Sequence, residues 1–323
     1  MPQAETCCPR PAQPESRWVR AVRRFYHRYR DGRFRVGHSI LRRLLGVGVA
    51  ARQRIRLRNG LWVELDLRIP LQRTLFWLDG DLEPQLSWAI REFVPVGGAF
   101  VDCGANCGYF GLEARVCRQA RVVFIEPHPR LAATIRANLA LNGWAADCPV
   151  IEAAASDHRG SATLFLGGEN DGSHSLLPDW ADAAQDPPGV QVRLGTLAEL
   201  LEPLPGFARV DFLKVDTEGL DWKVLQGLGD WLNPTRVSLL YTELGRDREP
   251  AVRLLLERGY TGFVAREFRS GVEGRRTARE AERGEQVTFF VREDLPTTSR
   301  EVLWCAADSP ASRRLERLAG KAG

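Results

Sequence analysis

Four residues of this chain have the types and spacing for proton transfer beside a bound ligand. Lys214, Asp216 and Glu218 take alternate places in Phe212-Leu213-Lys214-Val215-Asp216-Thr217-Glu218-Gly219, and Glu243 closes a second apolar run, Leu239-Leu240-Tyr241-Thr242-Glu243. Side chains alternate along a strand, so Lys214 and Asp216 share a face, and Glu218 joins them if the chain stays extended. A carboxylate on such a rim can take the proton of a hydroxyl nucleophile. Asp216 is the candidate base, Glu218 its partner, and Lys214 the ammonium that keeps both ionised. Lysine fills only 3 of the 45 basic positions, which suggests that a compact ammonium is wanted here. The carboxylates could instead chelate Mg²⁺ through oxygen ligands, although no metal is expected. A purely structural charge cluster is the competing reading.

A second group of residues reads as a cofactor crevice. Val101-Asp102-Cys103-Gly104-Ala105-Asn106-Cys107-Gly108-Tyr109 is a strand that ends in an acid and runs through small residues into a helix. Ligands of doubly wound sheets bind beyond the carboxyl ends of the strands, which places Asp102, Gly104, Asn106 and Gly108 on the crevice. A dinucleotide fingerprint needs glycine where this chain has Asn106, so NAD is disfavoured. Asp102 suits a ligand that carries a cation, such as an α-ammonium group. Glu126 ends the next apolar run 24 residues after Asp102, close to the roughly 20 expected of an acid that binds ribose hydroxyls. Ser156 and Asp157 follow a third run and could meet an adenine amino group.

The elements that must position these groups follow a β-α-β-α rhythm. Strands are expected at 99–102, 122–126, 150–154, 210–215 and 237–242, helices at 83–93, 109–119 and 129–141, and a closing antiparallel pair at 261–264 and 286–291. A strand at 61–67 and a hairpin at 161–166 complete the set. The pattern predicts an α/β fold with a Rossmann-like, doubly wound, mostly parallel seven-stranded sheet. The long loop 167–189, with His174 and Ser175, and the segment 266–285 are candidates for acceptor recognition, and Glu243 is a third contact.

The stretches VDCGANCGYF, FIEPHPRLAATIRANLALN, AAASDHRGSATLFL, VDFLKVDTEGLDWKVLQGL and LLYTE, in that order from about Gly97 to Glu243, together resemble the FkbM family of methyltransferases, with weaker similarity back to Glu83. The resemblance implies a class I methyltransferase that holds S-adenosylmethionine on the loop 102–108, Glu126 and the Ser156-Asp157 pair. It also implies O-methylation of a saccharide, glycolipid or polyketide-like acceptor. Cys103 and Cys107 depart from the family's usual aliphatic or small residues. Both are expected to pack as small apolar groups rather than to bind zinc.

At 323 residues and 44% hydrophobic content, the chain can bury one large domain and an appendage. The net charge of +4 conceals an asymmetry, because residues 1–58 hold fifteen arginines against three acids, a net +12, and the rest carries −8. Within this arm Trp18, Val22, Phe25, Tyr26 and Tyr29 follow a helical period among arginines. Such a helix could lie on an anionic membrane surface through residues 18–58, or pack its aromatic stripe on the catalytic domain. The expected division is a basic arm at 1–58, a catalytic domain at 59–295 and a tail at 296–323. No signal peptide, spanning segment or paired cysteine spacing is read, so the expected location is cytoplasmic or peripheral to the inner face of the membrane. An RNA-directed methyltransferase, or a non-catalytic cofactor-binding protein, is the alternative function. The absence of an RNA-binding module makes nucleic acid an unexpected partner.

Overall fold

Each central strand is apolar at successive positions, as a strand must be when both of its faces are covered. In Ala99–Cys103, Phe100 enters one core with Val122, Phe124, Phe212 and Tyr241, while Ala99, Val101 and Cys103 enter the opposite core with Val123, Leu213 and Leu240. The computed structural model describes residues 13–31, 49–167, 174–178, 189–245, 247–265, 289–291 and 301–320. In chain order, a first sheet contains β1 (Gln13–Pro14), β2 (Arg52–Arg56) and β3 (Trp62–Asp66). The main sheet contains β4 (Ala99–Cys103), β5 (Arg121–Ile125) and β6 (Val150–Ile151). A third, small sheet holds β7 (Ala154–Ser156), β8 (Gly160–Phe165) and β9 (Gly189–Thr196). The main sheet is completed by β10 (Phe212–Val215), β11 (Leu239–Glu243), β12 (Tyr260–Ala265), β13 (Phe289–Val291) and β14 (Glu301–Ala306).

The order across the main sheet is β13-β12-β14-β11-β10-β4-β5-β6, with β6, β5, β4, β10 and β11 paired parallel and the β11–β14, β14–β12 and β12–β13 pairings antiparallel. The expected α/β, doubly wound, mostly parallel sheet is therefore present, with eight strands among the described residues rather than seven. The helices Pro84–Phe93 and Tyr109–Arg118 cover one face, and Asp221–Leu228 and Arg248–Glu257 the other. Chain order reverses between β4 and β10, and the crevice opens there.

Three expectations need correction. The stretch 296–323 is no appended tail, because β14 inserts between β11 and β12. Val302 and Trp304 fill one core and Leu303 and Cys305 the other, and Trp304 Nε1 donates to Thr242 Oγ1 at 3.0 Å. The run at 150–154 does not continue as one strand, since the chain turns after Ile151 and β7 pairs with β9 instead. Finally, the arm is not separate from the catalytic domain. The helix Arg17–Asp31 buries Val19, Val22 and Tyr26, with Tyr26 edge-on to Trp77 at 5.1 Å. Buried Arg23 fixes it further, donating to Glu15 at 2.6 Å, to Asp79 and to the Phe76 carbonyl at 3.3 Å. The expected stripe is thus split, because Trp18 and Phe25 face outward. The Tyr29 side chain and residues 32–48 lie outside the described set.

Candidate active site

The loop after β4 is shaped by backbone approach. Gly104 has φ 72°, and a Cβ there would stand 1.8 Å from the Asp216 carbonyl oxygen, so only glycine lets the two strand ends close over each other. Gly104→Ala is expected to lower stability by about 2–4 kcal/mol, adding a left-handed penalty to an overpacked contact. Chemical denaturation reads this directly, and an unchanged midpoint would contradict the close approach. Asn106 also adopts a left-handed φ, 52°, which asparagine tolerates better than most residues. Its N–H donates to Glu126 Oε2 at 2.7 Å, and the His128 N–H donates to Glu126 Oε1 at 2.9 Å. The loop and the end of β5 are thereby locked together.

Beyond the carboxyl ends of β4, β5, β10 and β11 lies a cavity of about 300 Å³. One side joins Glu126 to an apolar slot formed by Ile125, Pro127, Leu131 and Ala153. The other side joins Lys214, Asp216, Glu218, Glu243 and Glu83 to the rings of Tyr109 and Phe110. Lys214 Nζ lies 3.1 Å from Asp216 Oδ2, 3.5 Å from Asp102 Oδ1 and 2.9 Å from the Gly104 carbonyl. The expected shared face of Lys214 and Asp216 is therefore realised as an ion pair.

Asp102 does not meet the cavity. It is 0% exposed, it accepts the Gly111 N–H at 2.8 Å, and the cation it faces is Lys214 of this chain. Ser156 and Asp157 are also off the cavity wall, which is lined there by Ala153, Ala154 and Ala155. The Ser156 hydroxyl donates to Asp157 at 3.0 Å, and Asp157 turns to His158. Gly108 lies behind the loop, against Ile135 and Phe124. Glu218 reaches the cavity, but not by extension of β10. The strand ends at Val215, and Glu218 has φ 50°.

His174 and Ser175 both line the cavity. His174 stacks on His128 at 4.7 Å, and its Nδ1 accepts the Gly167 N–H at 3.0 Å. The Ser175 hydroxyl donates to the Glu218 carbonyl at 2.7 Å and accepts from the Leu177 N–H at 3.1 Å, so it fastens the loop to the turn after β10. Loop residues 168–173 and 179–188, and residues 266–285, lie outside the described residues. Sequence reasoning missed Glu83, which precedes Pro84 at the cap of its helix and is thereby turned into the cavity. It also missed Asp221, buried at the start of the helix behind β10.

The site holds more acid than base, and burial sets how that acid is protonated. Burial pushes the Glu126 carboxyl up to about 7, against the two N–H donors that favour its charge. Burial likewise lifts Asp102 to about 6 and Glu243 to about 8, the latter also in hydrogen-bond contact with Asp216. Glu83 and Asp221 are raised well above the usual carboxylate range by burial and by Asp216. Burial works against the Lys214 ammonium, but Asp216, Asp102 and Glu83 outweigh it and raise its pKa. Cys103 and Cys107 are buried thiols, pushed up by desolvation, Cys107 to about 11, in keeping with their expected apolar packing.

These carboxyls bind protons more tightly folded than unfolded. Their contribution to stability is therefore fully present below about pH 4 and is lost as pH rises through about 6 to 8. The ligand-free thermal midpoint is expected to fall across that window, and Glu126→Gln to flatten part of the slope. A midpoint that rises from pH 5 to pH 8, or an unaltered slope in the variant, would contradict these assignments.

A mostly parallel sheet with a cavity at the switch between β4 and β10, lined by Glu126 and by a buried charge cluster, is the architecture in which α/β domains bind ligands beyond the carboxyl ends of their strands. The methyltransferase FkbM domain matches residues 102–262, and the chain belongs to that family. Methyltransferase sdnD of Sordaria araneosa is 28% identical over 162 residues, 42% of this chain and 62% of that protein. Methyltransferase 1 of Beauveria bassiana (strain ARSEF 2860) is 29% identical over 188 residues, 53% of this chain and 76% of that one. The match thus spans less than two thirds of the first relative. Among solved structures, methyltransferase FkbM from Methylobacillus flagellatus KT gives a TM-score of 0.41 at 13% identity, over 73% of this chain and 52% of that chain.

Proposed function

We propose that this protein is an S-adenosylmethionine-dependent methyltransferase that methylates a hydroxyl oxygen of a small-molecule or glycan acceptor, of saccharide, glycolipid or polyketide-like type. The observation that carries the reading is one cavity that joins Glu126 and an apolar slot to the Lys214–Asp216–Glu243 cluster. The donor set fits the cofactor. Both Glu126 oxygens accept one N–H and keep a second lone pair for ribose hydroxyls. Ile125, Pro127, Leu131 and Ala153 form an apolar slot for a purine. When bound, S-adenosylmethionine supplies a methyl group on a cationic sulfur.

The acceptor side is chemistry done by the chain itself. A hydroxyl becomes a competent nucleophile as its proton leaves, and Asp216, on the cavity wall, takes that proton in this reading. Lys214 stands 3.1 Å from Asp216, and burial, with Asp216 beside it, raises the Glu243 carboxyl to about 8. Glu83 and Glu218 widen the polar wall available to a polyhydroxyl acceptor, and Tyr109 and Phe110 keep water from the reacting centre. The direct test is incubation with methyl-labelled cofactor and separate fractions of sugars, glycolipids and RNA. Label recovered as a methyl ether on a hydroxyl acceptor supports the reading. Label found only in RNA, or in no fraction, counts against it.

A further inference from the structure

The helix Arg17–Asp31 buries Val19, Val22, Arg23 and Tyr26 on its inner face, yet its outer face carries large apolar groups. Trp18 is 59% exposed and Phe25 54%, and the two stand seven residues apart, about two turns, on one side of the helix. Exposed Ala21 lies beside them, and exposed Arg17, Arg24 and Arg20 follow on the side away from buried Val22 and Tyr26, Arg20 in contact with Glu15 at 3.1 Å. The buried contacts of Arg23, Val22 and Tyr26 fix which side faces out, so this surface is preset by the fold. We propose that it docks on an anionic lipid bilayer, with Trp18 and Phe25 entering the headgroup boundary and the arginines meeting lipid phosphates.

Charge complementarity favours this occupant. Exposed Arg17, Arg20 and Arg24 stand on the same outer surface as the two aromatic side chains, in a stretch of sequence, 1–58, whose net charge is +12, so an anionic plane would attract this face of the helix. Interfacial helices combine aromatic residues on the membrane side with arginines at the flanks, which is the arrangement here. A second copy of the chain is a poorer occupant, because an antiparallel two-fold contact on this face sets one arginine row against the other, and the dimer is an outcome of the test below. A duplex is held chiefly through its phosphates, which uses the arginines but leaves two outward aromatic groups unexplained, and a single strand, whose bases could stack on them, is separated by the test below. The inference does not depend on the reaction proposed above.

Flotation of the full chain with vesicles of phosphatidylcholine and about one third phosphatidylglycerol tests it, since such surfaces attract basic helices through their charge. Binding is expected to be at least about tenfold stronger than to phosphatidylcholine alone and to weaken with salt. The double variant Trp18→Ser/Phe25→Ser, and separately Ala21→Asp, should each lose most of it with an unchanged thermal midpoint, because all three side chains are exposed. Equal binding to neutral vesicles, or undiminished binding by both variants, would overturn the proposal. So would single-stranded RNA that binds more tightly and is lost in the same variants. A concentration-dependent dimer abolished by them would assign the face to a second copy instead.

Discussion

Replacing Asp216 with Asn is expected to lower turnover about 10²- to 10⁴-fold, the range for loss of a positioned general base, while cofactor affinity changes little. The Asp216 side chain is 27% exposed, facing the cavity beside Glu243 and opposite the apolar slot. Asparagine keeps its shape and removes its basicity, so a fall in turnover reports proton transfer rather than packing. Addition of EDTA during the assay separates this route from one that uses Mg²⁺. A metal-free base predicts no response to chelation, whereas Mg²⁺ held by the acidic rim predicts loss of activity. Full turnover in Asp216→Asn would mean that the cluster is structural.

The second large effect is on stability. Lys214 is 3% exposed and supplies the cation for Asp102 and Asp216, with the Phe110 ring 5.8 Å from its ammonium. Lys214→Met keeps the stem and deletes the charge, leaving Asp102 uncompensated in the core. The expected cost is about 3–5 kcal/mol, the scale for breaking a buried pair from one side. Adding Asp102→Asn to the Met variant should recover part of that loss, since the stranded carboxylate is then gone. Equilibrium denaturation of both variants is the check. A cost below about 1 kcal/mol for Lys214→Met would place the ammonium among surface-type pairs and contradict its structural role.

The legible parts of this fold were those written in local pattern. The apolar runs that end at Asp102, Glu126 and Glu243 mark strands covered on both faces, and the small-residue loop marks the crevice between them. The expected helices at 109–119 and 129–141 agree with Tyr109–Arg118 and Pro129–Leu141 to within a residue. What escaped depends on long-range pairing or on a single backbone angle. The reading that Asp102 wants a cation was sound chemistry, but that cation is Lys214, brought alongside by the parallel pairing of β4 and β10. Nothing local predicts that β14 should enter the sheet between β11 and β12, because its partners are set by topology rather than by sequence proximity. Glu218 was expected to follow strand alternation, and its positive φ breaks that alternation. Ser175 has the chemistry of a ligand contact, yet its hydroxyl is taken up within the chain, a distinction that only the folded loop reveals.

The most direct measurement is titration calorimetry of the purified chain with S-adenosylmethionine, with NAD as the comparison and Glu126→Ala as the site control. Saturable binding of S-adenosylmethionine, none of NAD, and an affinity about 1.5–3 kcal/mol weaker in the variant are predicted, the scale of a lost charge-assisted hydrogen bond. Wild-type affinity in Glu126→Ala, or binding of NAD in place of S-adenosylmethionine, would contradict the assignment of the cavity.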